Sequence, residues 1–198
     1  MKPFYVVTGC LVALLFLSIK SLAQAENNTL DNKIVIVVHM QEIDSNGKLS
    51  EESSDKEIKM INQIIEHVNP ENVAYSKAIH KILNITLKKI YTDEIIKDLD
   101  NRINVVNENV FVDHGGDVFN SDELNKYLKE RDISQIVLVG RVASECLTTS
   151  ALTGEKLGYD IFIIPDAIIG KSEKSKTKAI NKLKAKGVEE ISVADYQK

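Results

Sequence analysis

The chain has 198 residues, 29 acidic and 25 basic side chains, a net charge of −4 and only two cysteines. A mildly acidic balance of this kind supplies no basic face for nucleic acid. The one lysine-dense stretch, residues 171–186, keeps Ala179, Ile180 and Leu183 at helical spacing and reads as the wet face of a helix.

From the N-terminus, Lys2 precedes an apolar run from Val6 to Ile19 that is short for a membrane-crossing helix. With Ala23-Gln24-Ala25 behind it, the pattern is that of a signal peptide over residues 1–25, cleaved between Ala25 and Glu26. The competing reading is an uncleaved anchor, which the early charge at Lys20 opposes. Cys10 lacks the small-residue context of a lipoprotein site, so no stable membrane anchor is expected after cleavage. The expected location is periplasmic or secreted. Cleavage removes Lys2 and Lys20 and no acid, taking the net charge from −4 to −6. Residues 26–198 then form one domain, long enough to bury a proper core. Cys146 is the lone cysteine left in an oxidising compartment, so it is a buried small hydrophobe, an intermolecular crosslink or a reactive thiol.

Residues 34–38, all Ile or Val, predict a strand buried on both faces. Residues 44–55, acidic and Ser-rich around Asn46-Gly47, read as a surface loop. Ile58, Ile61, Ile64, Ile65 and Val68 predict a helix that Pro70 stops, and Val73, Ala74, Ile79, Ile82 and Leu83 predict a second. Further strands are expected at 89–91, 109–112, 136–139 and 161–164, separated by helices. Asn120 and Glu123 serve as N-cap and N3 of the helix running to Glu130, and Gly158 and Gly187 stand at helix ends. This alternation predicts an α/β fold, a three-layer α/β/α sandwich with a mostly parallel central sheet. Ligands of such sheets sit beyond the carboxyl ends of the strands. The residues there are His39-Met40-Gln41, Thr92-Asp93, Asp113 to Asp117, and Arg141 to Cys146. Gly115-Gly116 is a turn that lets the backbone approach that pocket closely, and it lacks phosphate-loop spacing. His67 and His80 are expected on helices as surface residues.

Ile136-Val137-Leu138-Val139-Gly140, with Cys146 six residues on and Gly158-Tyr159 twelve beyond that, resembles the nucleophile region of the isochorismatase-like cysteine hydrolases. Those include nicotinamidases and N-carbamoyl amide hydrolases. His39-Met40-Gln41 resembles that family's strand ending in Asp-x-Gln, and Asp117-Val118-Phe119 with Leu124 and Leu128 is similar to its central block. The resemblance spans the mature chain in order. It implies an Asp, Lys and Cys catalytic set, of which Cys146 alone is unchanged. His39 stands at the aspartate position, Asp113 at the lysine position, and Ala143 where a threonine is usual. An imidazole can deprotonate a thiol and a carboxylate can orient it, so Cys146, His39 and Asp113 form a candidate Cys-His-Asp relay. Gln41, His114, Asp117, Phe119, Arg141 and Val142 are the expected substrate contacts. For Arg141, an ion pair with Glu145 is the plainer reading. Cys146 is expected in the first helical turn after the fourth strand, where the helix dipole favours a thiolate.

The resemblance further implies hydrolysis of a small amide or related C–N substrate, with isochorismate itself disfavoured. No metal or other cofactor is expected, because Ile95 stands where the family's metal site would have a histidine beside Asp93. The alternative is an inactive relative used for small-molecule binding or assembly, in a site crowded with negative charge by Asp113, Asp117 and Glu145. Family members often self-associate, so a homo-oligomer is a further expectation.

Overall fold

A computed structural model describes residues 32–42, 51–87 and 89–196. The proposed signal peptide and the Asn46-Gly47 turn lie outside the described residues. β1 (Lys33–Val38) is followed by α1 (Glu51–Glu66), β2 (Val73–Ile85), β3 (Ile90–Ile96), β4 (Val110–Asp113) and α2 (Asp122–Glu130). Then come β5 (Gln135–Arg141), α3 (Thr148–Leu157), β6 (Asp160–Ile169), α4 (Glu173–Lys184), β7 (Glu189–Glu190) and α5 (Val193–Tyr196). The seven strands among the described residues form one sheet in the order β3-β2-β1-β5-β6-β7, with β4 also paired to β2. Every pairing is parallel except β2 with β3.

β1 shows why the sheet is central. Successive side chains of a strand point to opposite faces, and here both faces are covered. Ile34, Ile36 and Val38 pack with Leu124, Leu128, Leu147 and Leu183 on one side. Val35 and Val37 pack with Ile58, Ile61, Ile64 and Ile65 of α1 on the other. This is the expected three-layer sandwich. β1 and β5 approach so closely that a Cβ at Gly140, which has φ +112°, would sit 2.3 Å from the Val38 carbonyl oxygen, a position only glycine tolerates.

Several local expectations need correction. Residues 51–55, expected in a loop, belong to α1, and Asp55 pairs with Arg102 at 2.5 Å. Residues 73–83, expected as a helix, are strand. Val73, Ala74, Tyr75 and Ser76 are all buried, alternately on the two faces of the sheet, which a single helix stripe cannot achieve. The spacing of Ile79, Ile82 and Leu83 imitates a helix, but these residues lie where β2 leaves the sheet and pairs with β3 as a two-stranded arm. Thr92, Asp93 and His80 go with that arm, on strands. The cap of α2 is Ser121, whose Oγ accepts from Leu124 N at 3.4 Å, while Asn120 belongs to a short 3-10 turn one step earlier. Gly158, at φ +93°, caps α3 as expected.

Candidate active site

His39 follows β1, Asp113 ends β4 and Cys146 follows β5, so all three lie beyond the carboxyl ends of parallel strands. β1 and β4 are not neighbours: β2 lies between them, which puts them about 10 Å apart at ordinary strand spacing. Their side chains meet because β2 carries only small residues between them, Ser76 in register with Val38 and Ala78 in register with Asp113. His39 Nε2 lies 2.6 Å from Asp113 Oδ2, and Ser76 Oγ donates to the same oxygen at 2.5 Å. Asp113 is fully buried and His39 nearly so. Ser76 is a site residue that sequence reasoning missed, since a helix over 73–83 could not place it at a strand end.

The backbone of His39 has φ +48°, a left-handed conformation uncommon outside glycine and asparagine. It is pinned there by His39 N donating to Ser76 O at 3.1 Å and by Arg141 Nε donating to His39 O at 2.9 Å. Arg141 also donates through Nη2 to Gln41 O. The guanidinium thus binds the 39–41 backbone, contrary to the expected ion pair with Glu145. Glu145 pairs instead with Lys171.

Burial alone would lower the imidazole pKa of His39. The hydrogen bond to Asp113 and the proximity of the Cys146 thiol, together with the charge of both partners, outweigh it and push the value up to about 9. His39 is thus coupled to both the carboxylate and the thiol, with Nε2 bonded to the carboxylate. Its Nδ1 is buried without a hydrogen-bond partner, as is Asp113 Oδ1.

Cys146 is a free, half-buried thiol in a wide helical turn, Ala143–Leu147, that precedes α3. The helix proper starts later than expected, at Thr148. Glu145 breaks the turn with φ −126° and ψ −110°, while Val142 O holds it by accepting from Glu145 N and Leu147 N. The glycine turn after β4 closes on the thiol: a Cβ at Gly116 would sit 3.0 Å from Cys146 Sγ. Gly116 also has φ +77°, so Gly116→Ala introduces both backbone strain and a displaced sulfur. We expect that variant to lose at least about tenfold in Cys146 alkylation rate and about 1–2 kcal/mol of stability, measured by iodoacetamide labelling and urea unfolding.

The remaining expected contacts divide. His114 is exposed at the rim and Val142 is half-buried beside the thiol turn. Gln41 is buried and spent on the fold: Oε1 accepts from Ala78 N, and Nε2 donates to Ala78 O and Lys97 O. Asp117 is likewise engaged, accepting from Phe119 N at 3.1 Å and from Thr153 Oγ1 at 2.7 Å. Phe119 is buried in the core and stacked on Tyr159. The expected crowding of negative charge is therefore relieved at Asp113, Asp117 and Glu145 alike, each of which has its own partner. Asp93 sits on the exposed arm, bonded to Asn84 at 2.8 Å. Among the described residues, no three His, Cys, Asp or Glu side chains are grouped to hold a metal.

Residues 33–195 match the isochorismatase domain family. The chain belongs to that family. Its fold is shared with an isochorismatase-like hydrolase from Alkaliphilus metalliredigens at 18% identity and TM-score 0.68, covering 84% of this chain and 97% of that one. It is shared with a nicotinamidase/pyrazinamidase from Acinetobacter baumanii at 20% identity and TM-score 0.63, covering 83% and 98%. A cysteine hydrolase from Pseudomonas syringae pv. phaseolicola is similar at 15% identity and TM-score 0.68, covering 85% and 92%. No curated protein sequence matches the chain. Members of the isochorismatase family are hydrolases of C–N and related bonds, and the site just described occupies the strand ends where an α/β sheet carries its chemistry.

Proposed function

We propose that this chain is an exported cysteine hydrolase that cleaves the C–N bond of a small amide through Cys146, with His39 as proton carrier and Asp113 as its orienting carboxylate. The observation that carries this reading is the position of His39, bonded at 2.6 Å to a buried carboxylate and close enough to Cys146 for the thiol to raise its pKa. Catalytic chemistry asks for this order of groups: nucleophile, base, orienter.

In the first half-reaction, Sγ attacks the carbonyl carbon and the thiol proton resides on His39. His39 passes it to the departing nitrogen as the C–N bond breaks, leaving a thioester. In the second half-reaction, water gives a proton to His39 and its hydroxyl to the acyl carbon, and the sulfur is protonated again as the acid leaves. The developing oxyanion is met by backbone N–H groups of the Ala143–Leu147 turn other than those already bonded to Val142 O. Asp113 keeps the imidazole oriented and stabilises its charged form. Since Arg141 is committed to backbone carbonyls, a neutral amide suits the site better than a carboxylate. The apolar segment before Ala25 supports export.

Intact-mass spectrometry after exposure to a panel of small amides tests the reading. An acyl adduct on Cys146, absent from Cys146→Ala, is expected. No adduct with any amide would favour a relative that binds without turnover.

The raised pKa of His39 also has a pH signature. Because the folded value exceeds that of the unfolded chain, the folded state holds the proton more tightly. Its stabilising contribution is complete below about pH 6.5, where both states are protonated, and is lost as pH rises through about 9. Urea midpoints of the parent and of His39→Gln, measured from about pH 6 to about pH 9.5, are therefore expected to converge at the alkaline end.

A further inference from the structure

We infer that the β2–β3 arm is a homodimerisation element, which docks on the same arm of a second copy about a two-fold axis running along its length. The inference is independent of the chemistry at Cys146.

The arm extends from the sheet for seven paired positions, Ile79 opposite Ile96 through to Ile85 opposite Ile90, about 23 Å at strand rise. A two-stranded hairpin with nothing packed on it is at best marginally stable, yet this one carries large aliphatic side chains in the open. Leu83 is 62% exposed, Ile85 71%, Ile90 69% and Leu87, at the tip, fully exposed. A contiguous apolar surface of this kind marks an interaction site.

One face of the arm identifies the occupant. Residues directly opposite each other share a face, so Ile79 and Ile96, Lys81 and Glu94, Leu83 and Thr92, and Ile85 and Ile90 form four rungs on one side. The second rung is an ion pair at 3.3 Å. A two-fold rotation along the arm exchanges its strands. Ile79 then meets the partner's Ile96, Ile85 meets the partner's Ile90, and Lys81 meets the partner's Glu94. Every rung faces its own reverse, so the isoleucine rungs meet isoleucines, Leu83 meets the methyl-bearing side chain of Thr92, and each charge meets its opposite. The same side of β2 carries Tyr75 below the arm. Val110 is in register with Tyr75, and Val106 N donates to Tyr75 Oη, so two more exposed valines extend the surface toward the body of the domain. A lipid surface fits less well. The apolar rungs run to the base rather than clustering at the tip, and among the described residues Asp93 and Glu94 balance the charge of Lys81 and Lys89.

Sedimentation velocity of the full chain across micromolar concentrations tests this. The parent is expected to sediment as a dimer or an even multiple of one. Lys81→Glu and Glu94→Lys each place like charges across the axis and are expected to weaken association at least about tenfold. An equimolar mixture of the two restores the dimer, because each altered charge then faces its opposite; this recovery cannot come from a misfolded arm. The triple variant Leu83→Thr/Ile85→Thr/Ile90→Thr keeps strand-favouring residues and is expected to be monomeric. A monomeric parent overturns the inference, including one that instead floats with anionic vesicles. So does association that all these variants leave unchanged.

Discussion

Cys146→Ala is expected to abolish turnover while leaving the fold intact. Removal of a nucleophile that acts as a unit with its base costs about 10³–10⁶-fold in rate, depending on the background reaction that survives. The structural cost is small by comparison. The thiol is half-buried, in a turn held by backbone bonds to Val142 O rather than by the sulfur. Stability should therefore change by no more than about 1 kcal/mol. Paired measurements of kcat and of the urea midpoint separate the two effects. Activity retained in Cys146→Ala would remove the thiol from the mechanism, whatever the fold does.

Asp113→Ala is expected to have the largest effect on stability. Asp113 is fully buried, and one of its oxygens accepts from both His39 and Ser76. Deleting the carboxylate strands a buried imidazolium and a buried hydroxyl together. Breaking a buried charged pair from one side typically costs about 3–5 kcal/mol. The imidazole would escape part of that penalty by releasing its proton, so its pKa should fall from about 9 toward or below the usual histidine value. Asp113→Asn is the sharper probe of chemistry. It keeps the shape and one acceptor but loses the charge that stabilises the protonated ring, and in triads of this type the equivalent change costs about 10⁴-fold in kcat. Urea unfolding of Asp113→Ala and kcat of Asp113→Asn check the two halves. An alanine variant as stable as the parent would mean that the pair contributes nothing to folding.

The parts of this molecule that were legible in the sequence are those where one local signal had a single structural outcome. The unbroken apolar runs at 34–38, 136–139 and 161–164 are strands covered on both faces, and a continuous run permits little else. The period of Ile58, Ile61, Ile64 and Ile65 is the buried stripe of α1. β2 was illegible because one strand serves two environments. Its first four residues are core, and its remainder is an exposed arm whose aliphatic residues fall at helical spacing by chance, so periodicity alone cannot separate the readings. That error hid Ser76, which only a strand places between His39 and Asp113.

The same limit applies to the site. Topology brings His39, Asp113 and Cys146 to one edge of the sheet, and residue type suggests what they do together. Competition for hydrogen bonds is not visible in sequence. Gln41, Asp117 and Arg141 each have chemistry suited to a ligand, yet all three are consumed by backbone groups that the fold itself leaves needing partners. Arg141 shows the difference most clearly, because its guanidinium holds the unusual backbone of His39 from the next strand and so serves the site by position.

The most direct test of the account is the rate of Cys146 alkylation by iodoacetamide as a function of pH, in the parent and in His39→Ala. If the imidazole governs the thiol's proton, the two profiles differ, and the variant is slower on the acid side, where His39 carries the proton that the sulfur has given up. Superimposable profiles would contradict the account, since a thiol indifferent to its neighbour has no base.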